Sequence, residues 1–330
     1  MSESLLDAFY SDRFVLPLPA GHRFPMAKYG QLRERVGREL TGVRLLEPAG
    51  ATDGELALAH HPDWVARLAE GRLRADEIRA IGFPWSPEMV ERSRRSAGAS
   101  IAAARSALRD GAGANLAGGT HHASADRGEG FCCFNDLALA ARRMQAERRA
   151  RRVAIVDLDV HQGNGTAEIL SRDDSVFTLS IHGDRNYPFR KAVGDLDVAL
   201  PDGTGDDAYL DALDRALAEL ARRFDPDLLL YLAGADVYEG DRLGRLSLTG
   251  PGIAERDRRV FAFARRSGLP VAVAMGGGYC PRIDEIVEIH LETVRQAWLH
   301  AHGSMSAMPR TLAPARAGQG AGATPGTEHR

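Results

Sequence analysis

Cysteine is scarce in this chain of 330 residues, which has only Cys132, Cys133 and Cys280. Adjacent cysteines are poorly placed to bond to each other, and three cysteines cannot form an even set of pairs. This excludes a disulfide framework of the kind that small secreted proteins use. The scarcity predicts reduced thiols and a cytoplasmic location.

Long hydrophobic runs and a strong charge of either sign are also missing. No apolar stretch is long enough to cross a bilayer, and the N-terminus lacks the basic start and sustained apolar run of a secretory leader. The net charge of −3 provides no general attraction to nucleic acid. We therefore expect no membrane span and no direct nucleic-acid partner.

What the chain does contain is an alternation of apolar strand patterns with helical patterns, which predicts a parallel sheet covered by helices on both faces. The predicted fold class is a single α/β domain over 1–302, with an open, mainly parallel β-sheet. The segment 14–18 is predicted as the first strand and 31–40 as a helix. A tail rich in Gly, Ala and Pro, 303–330, is predicted to be disordered.

The strand 153–156 is followed at once by two carboxylates and an imidazole, Asp157, Asp159 and His161. Residues two apart in a strand point the same way, so these side chains can converge. Buried charges of this kind are costly unless they are paired or bind a metal, and oxygen and nitrogen ligands suit zinc or another first-row divalent ion. The alternative is a structural carboxylate pair with a helix-capping aspartate.

Four other predicted strands also end in residues that carry chemistry. They end in His121-His122, in His182, in Asp236 and in Tyr279, the first and last of them after consecutive glycines. In open α/β sheets, sites lie beyond the carboxyl ends of the strands. We therefore predict one pocket that gathers all five strand ends.

These residues can be assembled into a metal-assisted amide hydrolase. Asp159, His161 and Asp236 would bind one Zn²⁺ and leave a coordination position open for water. A histidine near the metal can act as general base and later protonate a leaving amine. Asp157 and Asn164 could each orient one histidine, and Tyr279 could donate a hydrogen bond to a developing oxyanion.

Six motifs resemble those of the histone deacetylase family, which is part of the arginase/deacetylase superfamily. They are GGTHHA (118–123), GFCCFND (130–136), DLDVHQGNGT (157–166), LSIH (179–182), AGAD (233–236) and GGGY (276–279). The resemblance covers roughly residues 10–300. The segments DRGEGFCCFNDLALA (126–140), HQGNG (161–165) and EGDRLGRLSLT (239–249) are most similar to class IV and its bacterial relatives.

The resemblance implies a role for each matching residue. The zinc ligands would be Asp159, His161 and Asp236, with Fe²⁺ as an alternative metal. The catalytic residues would be His121, His122, Asp157, Asn164 and Tyr279, with His122 as the general base. The substrate-binding residues would be Gly130, Phe131, Tyr187 and Gly277, with Phe131 and Tyr187 as opposite aromatic walls of an acyl-lysine tunnel. A structural K⁺ or Na⁺ would be bound by Asp157, Asp159, His161, Ser180 and Ile181.

Two departures from the family pattern are visible. Asn164 stands where class I members have an aspartate, and an amide cannot stabilise an imidazolium as a carboxylate does. The rim aspartate with which class I members hold the substrate backbone has no clear counterpart. The remaining histidines and lysines of the N-terminal part, His22, Lys28 and an exposed pair His60-His61, are interpreted as structural.

Several functions remain open at this point. The expected activity is a zinc-dependent amidohydrolase that removes acetyl or longer acyl groups from acylated lysine, and the alternative substrate is an acetylpolyamine or another small N-acetylated amine. A binuclear manganese ureohydrolase is disfavoured because Asn164 replaces a bridging carboxylate and Tyr238 stands where a second aspartate would follow Asp236. A non-catalytic metal-binding module would be expected to lose Tyr279 or a histidine. The oligomeric state is left open.

Overall fold

A parallel β-sheet forms the centre of the molecule in the computed structural model, which describes residues 6–304. Within that range the sheet has eight strands in the order β2-β1-β3-β8-β7-β4-β5-β6, all of them parallel to their neighbours. The strands are β1 (Leu6–Phe9), β2 (Val43–Leu46), β3 (Ala112–Asn115), β4 (Val153–Asp157), β5 (Val176–Gly183), β6 (Leu196–Leu200), β7 (Leu228–Gly234) and β8 (Val271–Gly276).

Ten helices of the described range connect and flank these strands. They are α1 (Ala27–Glu39), α2 (Asp53–Leu56), α3 (Pro62–Ala69), α4 (Ala75–Ile81), α5 (Pro87–Asp110), α6 (Asp136–Ala146), α7 (Asn164–Leu170), α8 (Asp206–Arg223), α9 (Gly250–Arg266) and α10 (Ile283–Ser304). Several begin where the sequence predicts: the Ser86 side chain accepts a hydrogen bond from the Met89 amide at the start of α5, and Asn135 caps α6 through the Ala138 amide.

Helices cover both faces of the sheet, because alternate residues of each central strand point to opposite faces. In β4, Ala154 and Val156 belong to the apolar core that α1, α8, α9 and α10 cover, whereas Val153 and Ile155 belong to the core beneath α3, α5 and α6. The predicted fold class is confirmed. A fully buried side chain such as Ile155 contributes about 1.5–3 kcal/mol to folding relative to leaving it exposed.

The edge of the sheet differs from the prediction. The segment 14–18 is not a strand: Val15 is 63 % exposed, and prolines at 17 and 19 lack the amide hydrogens that a sheet ladder needs. The first strand is instead β1, which is buried between β2 and β3. The edge strand β6 was not predicted, because its alternating LDVAL pattern is short. Helix α1 begins four residues before the predicted 31–40.

The C-terminal prediction lies almost wholly outside the described residues. Of the predicted tail 303–330, only the first two positions are described, and they continue helix α10. Among the described helices, none has the length and apolar character that a membrane crossing requires.

One histidine of the predicted exposed pair is in fact buried. His61 is exposed, but His60 has only 2 % of its surface accessible. Its Nδ1 donates to the Ser124 carbonyl and its Nε2 accepts from the Asn135 amide, each at 2.9 Å. Through these two hydrogen bonds, His60 connects the loops that carry His121 and Phe131.

Acid destabilisation is expected to depend on His60. Burial lowers the pKa of His60 to about 4, so between about pH 6.5 and 4 the unfolded chain binds a proton that the folded chain does not. The contribution of His60 to the free energy of unfolding is therefore fully present above about pH 6.5 and is lost as the pH falls. Between pH 7 and pH 5 the loss is about 2 kcal/mol. Denaturant unfolding at both pH values measures this. His60→Gln should remove that part of the slope, whereas the matched His61→Gln should keep it; equal slopes for the two variants would contradict the prediction.

Candidate active site

The predicted strand ends come together at the carboxyl edge of four adjacent strands. In the order β3-β8-β7-β4, these strands lead into His121-His122, Tyr279, Asp236 and the segment 157–161. The predicted fifth member, His182, does not join them. It lies inside β5, where its Nδ1 pairs with the Ser180 hydroxyl, and it is not among the residues that line the cavity.

Asp159, His161 and Asp236 form a compact group with a ligand atom from each within 4.8 Å of the others. His161 Nδ1 lies 3.0 Å from an Asp159 oxygen and 3.2 Å from Asp236 Oδ2. The other oxygen of Asp236 accepts the Val160 amide at 2.9 Å, while Oδ2 is buried and has no hydrogen-bond donor in suitable geometry. Such a carboxylate oxygen is available to a cation.

The charges of this group also favour a cation. Burial, followed by the repulsion of Asp159, raises the pKa of Asp236 to about 7. Burial lowers the pKa of His161, but the neighbouring carboxylates of Asp159 and Asp236 outweigh this effect and raise that pKa to about 10. The three side chains thus retain a proton between them in the absence of metal. A divalent ion can take its place, since metal binding releases protons from ligands.

The two consecutive histidines have different partners. His121 Nδ1 donates to Asp157 Oδ2 at 2.7 Å, and His122 Nδ1 donates to Asn164 Oδ1 at 2.6 Å. The two imidazole centroids are 4.2 Å apart. One histidine is therefore oriented by a charged group and the other by a neutral amide.

These partners separate the pKa values of the pair. Burial lowers the pKa of His121, but the carboxylates of Asp157 and Asp159 outweigh it and raise that pKa to about 9. Burial and the neighbouring charges of His121 and His161 lower the pKa of His122 far below its usual value. At neutral pH His122 is thus a free base and His121 is an acid. Pairs of titratable groups driven apart in this way are typical of acid and base assignments.

Tyr279 is fixed above the metal-binding group by a glycine turn. Gly277 has φ of +52°, and a Cβ at this position would lie 2.2 Å from the Asp236 carboxylate, so that only glycine allows this approach. The Tyr279 amide donates to Asp241 Oδ2 at 2.6 Å. Burial, with the charges of Asp236 and Asp159, raises the pKa of Tyr279 well above its usual value. The phenol therefore stays protonated and can donate a hydrogen bond.

Phe131 lies in an aromatic cluster at one side of the cavity. Its ring centroid is 5.1 Å from that of Phe83, 5.3 Å from Phe24 and 6.0 Å from Tyr279. At the preceding position, Gly130, a Cβ would meet the His122 ring at 2.6 Å. Gly130, Phe131 and Gly277 all line the cavity.

Tyr187 has a different position from the other predicted substrate-binding residues. Its ring meets that of His122 edge-on, with centroids 5.1 Å apart. It lines an adjoining surface depression together with Asn164 and the 87 % exposed Phe189, and it is not among the residues that line the cavity of Phe131. Its role as the opposite wall of a tunnel remains a prediction.

Two residues that hold the Tyr279 turn were missed by sequence reasoning. Lys28, only 3 % exposed, donates from Nζ to the carbonyls of Gly277 and, at 3.3 Å, Gly278. Its Nζ lies 5.5 Å from the centre of the Tyr279 ring. Asp241 anchors the Tyr279 amide, as described above. Lys28 precedes Tyr279 by some 250 residues, and no local sequence pattern links the two. Asp241 lies in the segment 239–249, for which the sequence predicts no site role.

The residues of the predicted monovalent cation site are neighbours in the structure. Asp157 of β4 is paired in register with Ser180 of β5, and Ile181 follows it. Asp157 Oδ1 accepts the Asp159 amide at 3.1 Å, and an Asp159 oxygen accepts the His161 amide at 2.9 Å. This chain of contacts links the predicted cation site to the metal-binding group.

The fold and the site define an α/β protein with a single possible metal-binding group among the described residues and a histidine pair beside it. One edge of the sheet carries the metal-binding group, the histidine pair with its two partners and the turn that positions Tyr279. Comparison with known proteins supports the same class. Residues 22–294 match the model of the histone deacetylase domain family.

Individual relatives agree with this match. The chain is 42 % identical over 283 residues to an uncharacterized protein of Picosynechococcus, covering 85 % of this chain and 94 % of the relative. It is 33 % identical over 291 residues to histone deacetylase 2 of Arabidopsis thaliana, covering 84 % and 75 %. The crystal structure of an HDAC homolog complexed with SAHA has the same fold, with a TM-score of 0.78, 24 % identity, and coverage of 89 % of this chain and 84 % of that one.

The chain therefore belongs to the histone deacetylase family, and it is a hydrolase of the deacetylase type.

Proposed function

We propose that this protein is a zinc-dependent deacylase that removes acetyl or longer acyl groups from the side chains of acylated lysines. The observation that carries the proposal is the position of Asp159 and His161 in the same cavity as His122, Phe131 and Tyr279. Asp236 lies buried beside these two residues and completes the group. A ligand group, a base and an oxyanion donor thus meet at one place. The remaining assignments of residues below are parts of this proposal.

The three proposed ligands fit a single divalent ion. They supply two carboxylates and one imidazole, a set that zinc accepts and that Fe²⁺ also accepts. Asp236 Oδ2 is buried and accepts no hydrogen bond from the described residues, which leaves its lone pairs free for a divalent ion. A bound ion of this kind supplies Lewis acidity, which polarises the scissile carbonyl and makes water more acidic.

His122 is the general base of the proposed mechanism. Its Nδ1 proton is committed to Asn164, so Nε2 keeps the lone pair that receives the proton of the attacking water. The lowered pKa of His122 keeps it unprotonated at neutral pH. His121, protonated and paired with Asp157, holds a positive charge beside the reacting atoms and can supply the proton that the departing amine requires.

In the proposed mechanism, the phenolic hydroxyl of Tyr279 donates a hydrogen bond to the oxygen of the tetrahedral intermediate. The glycine turn, Lys28 and Asp241 hold its backbone in place before substrate binds. When the C–N bond breaks, the water oxygen remains on the acyl carbon and the amine leaves with a proton from a histidine. The products are one carboxylic acid and one amine.

Acyl-lysine is the proposed substrate because aromatic side chains line the cavity at Phe131, and the only carboxylate among the lining residues is the proposed ligand Asp159. The methylene stem of a lysine can pack along Phe24, Phe83 and Phe131. We also propose membership of the class IV branch, because the segments 126–140, 161–165 and 239–249 are most similar to that branch. A structural K⁺ or Na⁺ at Asp157 and Ser180 and a cytoplasmic location complete the proposal.

Hydrolysis of two fluorogenic peptides by zinc-loaded protein tests this function. One peptide carries acetyl-lysine and the other myristoyl-lysine, and the expected result is release of the acyl group from at least one of them. Comparing the two rates determines the preferred chain length. Hydrolysis of N-acetylputrescine alone would support the small-amine alternative, and binding of one zinc per chain with no hydrolysis would support a non-catalytic module.

A further inference from the structure

Asn164 can serve His122 only in one of its two amide orientations. With Oδ1 toward the ring, as observed, it accepts the Nδ1 proton and leaves Nε2 free. With the amide rotated by 180°, its NH₂ group would donate to Nδ1 instead, and the proton of the neutral ring would move to Nε2. His122 could not then act as a base toward the cavity. A carboxylate has two equal oxygens and does not present this choice.

Glu129 is placed so that it selects the productive orientation. Its Oε1 accepts a hydrogen bond from Asn164 Nδ2 at 2.5 Å. In the rotated amide, an oxygen with lone pairs would face this carboxylate, and two acceptors in contact repel each other. A hydrogen bond to a charged acceptor is also about twice as strong as a neutral one.

The surroundings of Glu129 leave its carboxylate available for this contact. Arg127, two residues earlier, pairs with Glu168 at 2.6 Å, and among the described residues Glu129 itself forms no ion pair within 4.0 Å. Tyr187 is hydrogen-bonded to Glu129, and its pKa is raised by burial and by this carboxylate. The same Tyr187 ring lies against His122, so Glu129 joins two neighbours of one imidazole.

We propose that Glu129 is a positioning residue of the deacylation reaction, which fixes the amide of Asn164 and through it the Nδ1–H tautomer of His122. The chain His122–Asn164–Glu129 thus ends in a carboxylate, one residue further out than in a direct histidine–aspartate pair. The inference rests on the proposed function in that it assigns His122 as the base. Glu129 touches neither the substrate nor the metal ligands in this scheme.

Truncation of Glu129 is expected to lower kcat and leave KM nearly unchanged. Removing such an outer hydrogen-bond partner costs about 10-fold to 100-fold in activity, so Glu129→Ala should lose about 10-fold in kcat. Glu129→Gln, whose side-chain oxygen can still accept from Asn164 Nδ2, should recover most of the loss. Glu168→Gln, at a neighbouring carboxylate outside the chain of contacts, is the matched control and should have parental kcat.

The decisive comparison repeats Glu129→Ala in the Asn164→Asp background. A carboxylate at position 164 has two equivalent oxygens and would be repelled by Glu129. In the Asn164→Asp background, Glu129→Ala should therefore raise kcat. A role in loop packing alone would give the same loss in both backgrounds. An equal loss, or parental kcat in Glu129→Ala alone, would overturn the proposal.

A measurement without turnover separates this inference from the proposed function. In protein labelled with ¹⁵N-histidine, the ring nitrogen shifts of His122, assigned with a His122→Asn variant, report its tautomer. The parent should show the Nδ1–H form, and Glu129→Ala should show a mixture with the Nε2–H form. An unchanged tautomer would refute the role of Glu129, whereas absence of hydrolysis by a parent with the expected tautomer would refute only the proposed activity.

Discussion

Tyr279→Phe is expected to lower kcat for the acyl-lysine peptide by about 10²- to 10³-fold, the usual cost of removing one oxyanion donor. The ring would keep its contacts with Phe24 and Phe131, so substrate binding and KM should change little. The backbone contact with Asp241 comes from the amide and is unaffected by the substitution. Steady-state kinetics of the zinc-loaded variant measures both constants.

The loss should be confined to catalysis. Among residues 6–304, no hydrogen bond to the Tyr279 hydroxyl is found. Removal of the hydroxyl therefore leaves no described partner unsatisfied, and the melting temperature should stay within about 1 °C of the parent. Tyr238→Phe provides the matched control, since Tyr238 lies on the neighbouring loop outside the cavity. Full activity in Tyr279→Phe would exclude the phenol as the oxyanion donor, and an equal loss in Tyr238→Phe would indicate a disturbed loop.

The positions of the metal-binding group and the histidine pair could be predicted because they depend on topology alone. Parallel strands all present their carboxyl ends to the same edge, so residues that follow β3, β4, β7 and β8 meet once those strands are neighbours. The same reasoning failed for His182, because β5 extends to Gly183 and keeps that histidine inside the sheet. A strand that continues past the histidine changes which residue lies at its end.

Contacts between distant loops could not be predicted. Glu129 precedes Asn164 by 35 residues, and the two lie in separate sequence motifs. The contact of Glu129 with Asn164, and through it with His122, is therefore visible only in the three-dimensional structure. Lys28 reads as an ordinary surface residue near the start of α1, yet it is buried against the Tyr279 turn. His60 likewise has the same residue type as its exposed neighbour His61, and its sequence position does not reveal that its side chain is buried.

The pKa separation of His121 and His122 also required the structure. The residues are adjacent and chemically identical, and the sequence indicates only that Asp157 and Asn164 could serve as partners. The difference between the two pKa values also depends on Asp159 and His161, whose charges act unequally on the two imidazole rings. An amide at position 164 leaves His122 neutral, and this neutrality is what a base at pH 7 needs.

Loss of metal binding is expected to have the largest effect of any change at the site. Removal of divalent ions with a chelator should abolish hydrolysis, and one equivalent of Zn²⁺ per chain should restore it. Zinc at about 100 times its dissociation constant adds about 2.7 kcal/mol to the stability of the folded state. For a domain of this size we expect a rise in melting temperature of about 5 °C.

Asp236→Asn tests whether the proposed ligands are responsible for this stabilisation. The amide oxygen can still accept the Val160 amide as Oδ1 does now, so the metal-free variant should fold with the parental melting temperature or a higher one, because a buried charge has been removed. Without the second carboxylate, kcat should fall by more than about 10³-fold, and the zinc-induced rise in melting temperature should disappear. Asp207→Asn, at an exposed position of α8, is the control. A parental zinc response in Asp236→Asn would mean that the ion binds elsewhere, and the metal-binding group at the end of β4 and β7 would then need another explanation.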